Sequence, residues 1–508
     1  MAHEGLSRLR NSAGQFAEDY KFQKDLVQFS LKEKKFLSHN KSDFPYAMDG
    51  GVPLSWSENT KTLYLDSSDR HTLIVGSTGS QKSRLFVMPT VKTLGYADES
   101  MIITDPKGEI YKRTADGLEK LGYEIQVINF RSPKYSASWN PLAESYKYFL
   151  NGDIAKSCEL IADIAEIIGK NESSVNDPYW DIATSDFCYG LILLLFKYCK
   201  NNKKQAGKAN MDNLIRLRRK MFEGSKPNEE LKNYAEEEDE YCGSMISAAL
   251  SGTYNNAEST RACILSIFDS KVRSFSARQD LLNMLSSNNL SLENVGRKKT
   301  AIYLIIPDEK TTTHGLVSMF VKQSYEFFIE QTQNLKNLVM PVRINYILDE
   351  FSSLPRIKDF PAMITAARSR NIRFYLIVQS KYQLSRNYGA DAETIRSNCL
   401  NWIFITSREL DFLKEVSDLC GKRTDGNTPI LSIAELQCLD RKKGEVLVLS
   451  DRMGPYLTYM PSIDSYDNDR YKIRPFKELK DEILDPLDFD IIDKPNIVDK
   501  PKKVIFDW

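Results

Sequence analysis

Eight consecutive residues early in the chain have the types and spacing of a phosphate-binding loop. They follow the apolar run Leu73–Val75 and are Gly76, Ser77, Thr78, Gly79, Ser80, Gln81, Lys82 and Ser83. In such loops a strand, a tight turn of backbone N–H groups and the start of a helix cradle phosphate groups. We expect Lys82 to reach the β- and γ-phosphates of a nucleotide and Ser83 to supply a Mg²⁺ ligand.

Two carboxylates lie at the end of a second apolar run, Asn345–Leu348. We expect Asp349 to contact Mg²⁺ through water and Glu350 to orient or deprotonate the attacking water. An isolated Asp-Glu pair at a strand end is more often a solvated surface feature. Downstream of a phosphate loop, the pair predicts a nucleoside triphosphatase instead.

The loop departs from its usual pattern at one position. The pattern G-x-x-x-x-G-K-[ST] has Gly before the Lys, whereas this sequence has Gln81. Glycine is favoured there for close backbone approach and for unusual dihedral angles. A residue that enters a helix can have an ordinary negative φ, so we expect weakened or altered nucleotide binding rather than none. The alternative is a Ser/Gly-rich turn that binds no nucleotide.

Three arginines lie at or just before the start of the predicted strand 372–378, namely Arg368, Arg370 and Arg373. An arginine presented to the γ-phosphate of a neighbouring subunit acts as an arginine finger. We assign this role to Arg368, and a plain surface role is the alternative.

Gln379 closes that predicted strand. If the strand lies beside the one that ends at Asp349, the amide can sense the γ-phosphate; otherwise it caps a strand end. The segment Asp105–Glu109 also follows a strand, at the edge where open α/β sheets bind ligands. Pro and Gly shape a turn there, and its charged members are candidates for supporting or intersubunit contacts.

Strand and helix patterns predict how these residues are positioned. Apolar β-rich runs recur before and after a long block without convincing strands, and each is short enough for a strand buried on both faces. They lie at 73–75, 101–104, 125–130, 301–306, 344–348, 372–378, 402–406 and 446–449. This pattern predicts an α/β fold with a mostly parallel sheet that an all-helical block, residues 143–294, divides in sequence. Residues up to about 40 predict one or two peripheral helices, and short alternations over 52–66 predict edge strands.

Composition excludes several classes of protein. The 508 residues carry 69 basic and 69 acidic side chains, so any nucleic-acid contact must be local. Eight cysteines without C-x-x-C spacing and four dispersed histidines suggest neither a zinc site nor a disulfide framework. The first forty residues lack a signal peptide, and the longest apolar run, Gly190–Phe196, predicts a buried core helix.

With these motifs in view, the sequence resembles the type IV coupling proteins, the TraG/TraD-like ATPases of conjugative DNA transfer and type IV secretion. The resemblance covers most of the chain. Its order and spacing match in the segments 71–83, Ile103–Glu109, Trp139–Leu142, Asp177–Trp180, Leu348–Phe351, Ala367–Arg370 and Leu376–Ser380. The phosphate loop alone is not specific for this family. The combination is much more specific: the Asp-Pro-Lys-Gly-Glu segment, the Asn-Pro-Leu segment and the strand that ends in Gln379.

The resemblance implies a RecA-like P-loop NTPase domain that carries an inserted all-α domain and uses ATP and Mg²⁺. It implies a homo-hexamer that delivers a relaxase with single-stranded DNA, or a protein substrate, to the channel at the inner membrane. Arg368 and Gln379 match the family's arginine finger and nucleotide-sensing glutamine. The implied domains are an N-terminal helical extension (1–50), the nucleotide-binding domain (51–145 and 296–465), the all-α domain (146–295) and a tail (466–508).

Two departures from the family qualify these expectations. Many members begin with membrane-spanning helices and this sequence has none, so we expect a cytoplasmic protein that a partner recruits to the membrane. The other departure is Gln81. Two further functions therefore stay open: a non-hydrolysing docking platform that ATP holds together, and a DNA translocase similar to FtsK or HerA.

Overall fold

The computed structural model describes residues 22–39, 49–169, 178–202, 208–237, 242–423, 425–451 and 454–466, with residues 475, 476, 487 and 489. The chain divides into two compact units. One comprises Met1–Ala137 and Asn289–Lys480, and the other comprises Ser138–Asn288 and Asp481–Trp508.

The strands of the described residues form three sheets. Their bounds are β1 Val27–Ser30, β2 Lys35–Phe36, β3 Val52–Ser57, β4 Thr62–Asp66, β5 Thr72–Gly76, β6 Ser100–Asp105, β7 Glu124–Asn129, β8 Phe222–Glu223, β9 Lys226–Pro227, β10 Thr300–Ile305, β11 Ile344–Leu348, β12 Ile372–Val378, β13 Asn401–Thr406, β14 Glu445–Ser450 and β15 Tyr456–Tyr459.

The α-helices, in chain order, surround the large sheet or build the second unit. They are α1 Met88–Tyr96, α2 Glu109–Lys120, α3 Ala143–Leu150, α4 Ile154–Gly169, α5 Pro178–Asn201, α6 Met211–Met221, α7 Glu229–Glu236, α8 Gly243–Asn255, α9 Glu258–Ser276, α10 Gln279–Met284, α11 His314–Gln333, α12 Phe360–Ala367, α13 Lys381–Tyr388, α14 Asp391–Asn398, α15 Leu410–Cys420, α16 Ile433–Gln437 and α17 Ile463–Tyr466. A π-helical turn, Ser83–Val87, leads into α1.

A nine-stranded sheet forms the centre of the first unit, in the order β15-β14-β13-β5-β12-β11-β6-β10-β7. The seven strands from β13 to β7 in this order pair in parallel, and β14 and β15 pair antiparallel. Most of the parallel strands are buried along their whole length, as expected where helices cover both faces. The predicted α/β fold with a mostly parallel sheet is confirmed.

The second sheet is small and antiparallel, with the order β2-β1-β4-β3. It packs on the first through Phe22, whose ring stacks on Tyr456 with centroids 3.9 Å apart, and through a 2.9 Å hydrogen bond between Ser55 and Tyr456. The helical prediction for the N-terminal region is wrong for residues 27–36, which form β1 and β2. Alternating charged and apolar residues fit a helix stripe and a half-buried strand equally well. Residues 1–21 lie outside the described part.

The second unit is helical, from α3 to α10, apart from the two-residue pair β8 and β9. Its central helix is α5, in which the run Leu191–Phe196 is completely buried. Within the described residues α5 is long and apolar enough to cross a membrane, but 72% of its most apolar window is buried inside the protein. The prediction of a buried core helix is confirmed. The terminal residues Phe506–Trp508 lie outside the described part.

Candidate functional site

The predicted site residues follow strands that run in parallel, and parallel strands end at one edge of their sheet. Gly76 ends β5, Asp105 ends β6, Asp349 follows β11 and Gln379 follows β12. Since these strands are adjacent in the order β5-β12-β11-β6, the four residues share the carboxyl edge of the sheet. Open α/β sheets bind their ligands at this edge.

The phosphate loop turns tightly around Gly76. A Cβ atom on Gly76 would lie 2.5 Å from Oγ of Ser80 and 3.3 Å from Cγ of Lys82, so a larger residue would force these side chains to move. The amine of Lys82 donates to the carbonyl oxygen of Gly76 at 2.5 Å and to that of Ser77 at 3.3 Å. Burial lowers the pKa of Lys82, and the nearby Asp349 and Glu350 oppose that shift.

Gln81 has a φ of 62°, in the left-handed region. The expectation of an ordinary negative φ at this position is therefore wrong. The backbone needs the conformation for which the usual glycine is suited, because Gln81 turns the chain into the first helical turn, where its carbonyl accepts from the N–H groups of Arg84 and Leu85. A non-glycine side chain in this conformation costs about 1–2 kcal/mol.

Ser83 and Asp349 are joined directly. Ser83 Oγ donates to Asp349 Oδ2 at 2.9 Å, although the two residues are 266 positions apart. Burial raises the pKa of Asp349 to about 6, while the hydrogen bond from Ser83 and the charge of Lys82 hold it lower than burial alone would. The two oxygens are hard ligands of the kind that Mg²⁺ prefers.

Glu350 and Gln379 lie side by side, because β11 and β12 are neighbours, as the sequence-based hypothesis for Gln379 required. Gln379 Nε2 donates to Glu350 Oε1 at 2.8 Å, and Thr78 Oγ1 donates to Gln379 Oε1 at 2.9 Å. Glu350 has a φ of 59°. The amide of Gln379 thus connects the phosphate loop to the carboxylate that follows β11.

Arg368 lies away from these residues. It precedes β12, a strand of seven residues, whereas Gln379 follows it. At about 3.3 Å per residue, the two ends of this strand are roughly 20 Å apart. Arg368 pairs with Asp69 through contacts of 3.0 and 3.2 Å, and Arg373 is buried inside the protein. The geometry leaves Arg368 no contact with the loop of its own chain.

The segment Asp105–Glu109 forms a turn between β6 and α2. Burial raises the pKa of Asp105 to about 6, and this carboxylate accepts the backbone N–H of Tyr111 at 2.8 Å, at the start of α2. Glu109 pairs with Arg84, just after the phosphate loop, at 3.0 Å. The turn is therefore fixed to the loop by side chains.

Three features of the site were not predicted from the sequence. Thr78 was assigned only to the loop, but its hydroxyl contacts Gln379. Ser80 has a buried Oγ without a hydrogen-bond partner in the described structure. The π-helical turn after Lys82 was also missed, although such turns often occur at functional sites. No local sequence signal specifies the contact of Thr78 with Gln379, because it depends on which strand ends become neighbours.

The described residues contain no group of three or more His, Cys, Asp or Glu side chains that could hold a metal ion. A Mg²⁺ ion does not need such a group, since it commonly keeps several waters and uses one or two carboxylates with the phosphates of a nucleotide. The pair of Ser83 and Asp349 fits that arrangement.

Comparison with known proteins gives both a family and a fold. The profile of the family described as "Type IV secretory system Conjugative DNA transfer" matches residues 23–429. No curated protein sequence matches the chain.

Several solved structures are similar. The bacterial conjugative coupling protein TrwBdeltaN70, in an unbound monoclinic form, is 13% identical with a TM-score of 0.54, over 84% of this chain and 90% of its own. TrwB with the ATP analogue ADPNP is 13% identical with a TM-score of 0.53, over 81% and 87%. TrwB with ADP and Mg²⁺ is 14% identical with a TM-score of 0.53, over 82% and 87%. At this identity the likeness shows the fold, and it confirms the predicted RecA-like α/β domain.

Proposed function

This chain belongs to the type IV secretory system conjugative DNA transfer family, and on that premise we propose that it is an ATP-driven coupling protein. Its task is to recruit a relaxase bound to single-stranded DNA, or a protein substrate, and to deliver it to the secretion channel. The observation that carries the proposal is the meeting of Lys82, Ser83, Asp349 and Glu350 at one sheet edge within a chain of this family.

The cofactors we propose are ATP and Mg²⁺. The bound nucleotide supplies the phosphoanhydride bond, and the metal ion neutralises charge on its phosphates. Ser83 and Asp349 fit a Mg²⁺ site, and the buried Oγ of Ser80 and the amine of Lys82 are donors inside the loop. The ADPNP and ADP–Mg²⁺ complexes of TrwB support this choice.

Each side chain then has one task. Lys82 leaves the loop carbonyls and donates to phosphate oxygens, Ser83 and Asp349 hold the metal ion, and Glu350 accepts a proton from the attacking water. Gln379 holds Glu350 by a 2.8 Å hydrogen bond, and we propose that it senses the γ-phosphate.

We propose that Arg368 acts on the nucleotide of a neighbouring copy in a homo-hexamer. Its place at the amino edge of the sheet supports action between subunits, because no rotamer spans roughly 20 Å to its own loop. The pair that it forms with Asp69 is half exposed, with 38% and 46% of the two side chains accessible. An exposed ion pair of this kind is weak, so Arg368 can leave Asp69 and bind a phosphate instead.

We propose that the all-α domain, residues 146–295, contacts the substrate, and that residues 51–145 and 296–465 form the nucleotide-binding domain. The extension 1–50 and the tail 466–508 remain proposed segments. We place the protein in the cytoplasm, recruited to the cytoplasmic face of the membrane by partner proteins of the secretion channel. This location follows from the family's task of feeding such a channel.

A second candidate function is a docking platform that binds ATP without hydrolysing it. The observation that favours it is Gln81, whose left-handed backbone strains the loop. The two functions share the fold, the nucleotide and the hexamer, and they differ only in turnover.

Steady-state ATP hydrolysis, with and without single-stranded DNA, separates the two functions. A motor shows DNA-stimulated turnover that both Lys82→Ala and Glu350→Gln abolish. Nucleotide binding by a folded oligomer without turnover supports the platform. If neither nucleotide binding nor turnover occurs in the folded wild type, both functions are excluded.

The role of Arg368 requires a separate test, because it acts between subunits. Arg368→Ala and Lys82→Ala are each expected to be inactive alone. Mixed before assembly, they form sites that combine an intact loop with an intact finger, so part of the activity returns. A mixture that stays as inactive as its components excludes a finger in trans.

A further inference from the structure

The turn Asp105–Glu109 is held in place from several directions. Asp105 accepts the backbone N–H of Tyr111, and Gly108 has a φ of 68°, which the turn requires. Arg131 donates to the carbonyl oxygen of Pro106 at 3.1 Å. Glu109 pairs with Arg84 at 3.0 Å. The backbone of this turn is therefore fixed, and it presents its remaining side chain in a defined place.

That remaining side chain is Lys107. It is exposed and has no hydrogen bond or ion pair within the described part of the chain. The acidic groups around the turn already have partners: Glu109 pairs with Arg84 and Arg113, and Asp308 and Glu309 pair with Arg131. No described carboxylate neutralises Lys107.

The turn that carries Lys107 lies at the same sheet edge as the phosphate loop. β6 is beside β11, so this turn follows a strand adjacent to the one that Asp349 and Glu350 follow. The charge of Lys107 is close enough to Lys82 for the two cations to interact. Two cations that face the same edge repel each other until a multiply charged anion lies between them.

We propose that Lys107 is a second phosphate-binding cation, which contacts the terminal phosphate of a bound nucleoside triphosphate. This assignment is supported by the fixed turn, by the absence of an ion pair to Lys107 within the described residues, and by the sheet edge that Lys107 shares with Lys82 and Glu350. It rests on the proposed nucleotide-binding function and deepens it, since it makes Lys107 a further residue, with Gln379, that distinguishes a triphosphate from a diphosphate. Lys82 contacts the β-phosphate, which both ligands share, as well as the γ-phosphate.

Direct binding measurements with AMPPNP and with ADP, each with Mg²⁺, test the assignment. Lys107→Ala is expected to weaken AMPPNP binding about 10- to 100-fold, the range for one hydrogen bond between charged groups, and to change ADP binding less than about threefold. Lys107→Arg keeps the charge and is expected to restore most of the AMPPNP affinity. Lys112→Ala removes an exposed lysine of the following helix and serves as the matched control without effect.

Lysine acylation followed by mass spectrometry gives an independent readout in the wild type. AMPPNP is expected to protect Lys107 but not Lys112, and ADP is expected to protect neither. Wild-type AMPPNP affinity in Lys107→Ala, or equal losses for AMPPNP and ADP, overturns the assignment and leaves the proposed ATPase intact. A wild type that binds neither ligand overturns the ATPase proposal and this inference together.

Discussion

At the amino edge of the central sheet, Arg373 and Glu99 are buried together with their charged atoms 3.1 Å apart. Arg373 also donates to Asn345 at 3.0 Å and to the carbonyl oxygen of Ser68 at 2.7 Å. At the carboxyl edge, burial raises the pKa of Asp349 to about 6, and no cation forms an ion pair with it in the described structure. The same sheet thus buries charge in an ion pair at one edge, whereas the buried Asp349 at the other edge has hydrogen-bond donors but no ion pair within the described residues.

This difference separates an edge that contributes to stability from the edge at which we propose that the reaction occurs. A buried charge is tolerable when hydrogen bonds and an opposite charge replace water. The amino edge meets that condition. The carboxyl edge holds two buried carboxylates with raised pKa values, Asp105 and Asp349. Raised pKa values collect at functional sites.

The largest expected effect on folding comes from breaking the amino-edge pair. Arg373→Met removes the nearer of the two arginines that pair with the buried Glu99 and leaves only Arg343, at 4.0 Å. We therefore expect a loss of about 3–5 kcal/mol in the free energy of unfolding, measured by urea denaturation. Arg368→Ala is the control, because its pair with Asp69 is half exposed and is worth at most about 1 kcal/mol. Equal losses in the two variants would mean that the amino-edge pair contributes no more than a surface pair.

At the carboxyl edge the corresponding large effect is on catalysis. Lys82→Ala removes the cation that we propose contacts the phosphates, and we expect turnover of ATP to fall at least about 10²- to 10³-fold. The free energy of unfolding is expected to change by less than about 1 kcal/mol, since Lys82 bonds only to loop carbonyls. If Lys82→Ala lost as much stability as Arg373→Met, the two edges would not differ in their contribution to stability.

The pH dependence of stability separates the edges further. His71, at the start of β5, accepts the N–H of Phe374 and bonds to the carbonyl oxygen of Ile364, and burial lowers its pKa to about 4. The unfolded chain, with an ordinary histidine pKa near 6.5, binds a proton that the folded protein excludes. Stability is therefore lost as the pH falls from about 6.5 towards 4.

We expect His71→Gln to remove that loss. Between pH 6.5 and 5 the histidine accounts for about 1–2 kcal/mol, so the variant's unfolding free energy falls by that much less than the wild type's. The two proteins are compared by the slope of the unfolding free energy against pH. A loss of stability from the substitution that is the same at every pH does not change this slope. Parallel profiles for the two proteins would show that His71 does not set the acid sensitivity of the amino edge.

The smallest expected effect concerns strain in the loop. Gln81→Gly suits the φ of 62°, so we expect a gain of about 1 kcal/mol in stability, measured by thermal unfolding. Lys61→Gly is a matched control at another positive φ, with a similar gain but no effect on nucleotide binding. Lower stability in Gln81→Gly would mean that the glutamine side chain offsets the backbone strain.

Much of this could be predicted from the sequence, and the reasons are physical. Apolar runs such as Ile372–Val378 identify buried strands, and strand ends in a parallel sheet must meet, which brings Lys82 near Asp349. No local feature of the sequence specifies the order of strands in the sheet. The contacts of Gln379 with Thr78 and of Arg373 with Glu99 could therefore not be predicted. The φ of Gln81 was mispredicted because residue type alone does not specify a strained turn.

The most direct test of the contrast measures stability and ATP turnover together for Asp349→Asn at pH 8. The pKa of Asp349 is about 6 in the folded protein and near 3.8 in the unfolded chain, so stability is lost as the pH rises from about 3.8 to about 6, and the full cost is present at pH 8. Asn has the same shape without the charge. The account predicts a gain of about 1–3 kcal/mol together with loss of Mg²⁺-dependent turnover. A variant that loses stability, or that still hydrolyses ATP at the wild-type rate, would contradict it.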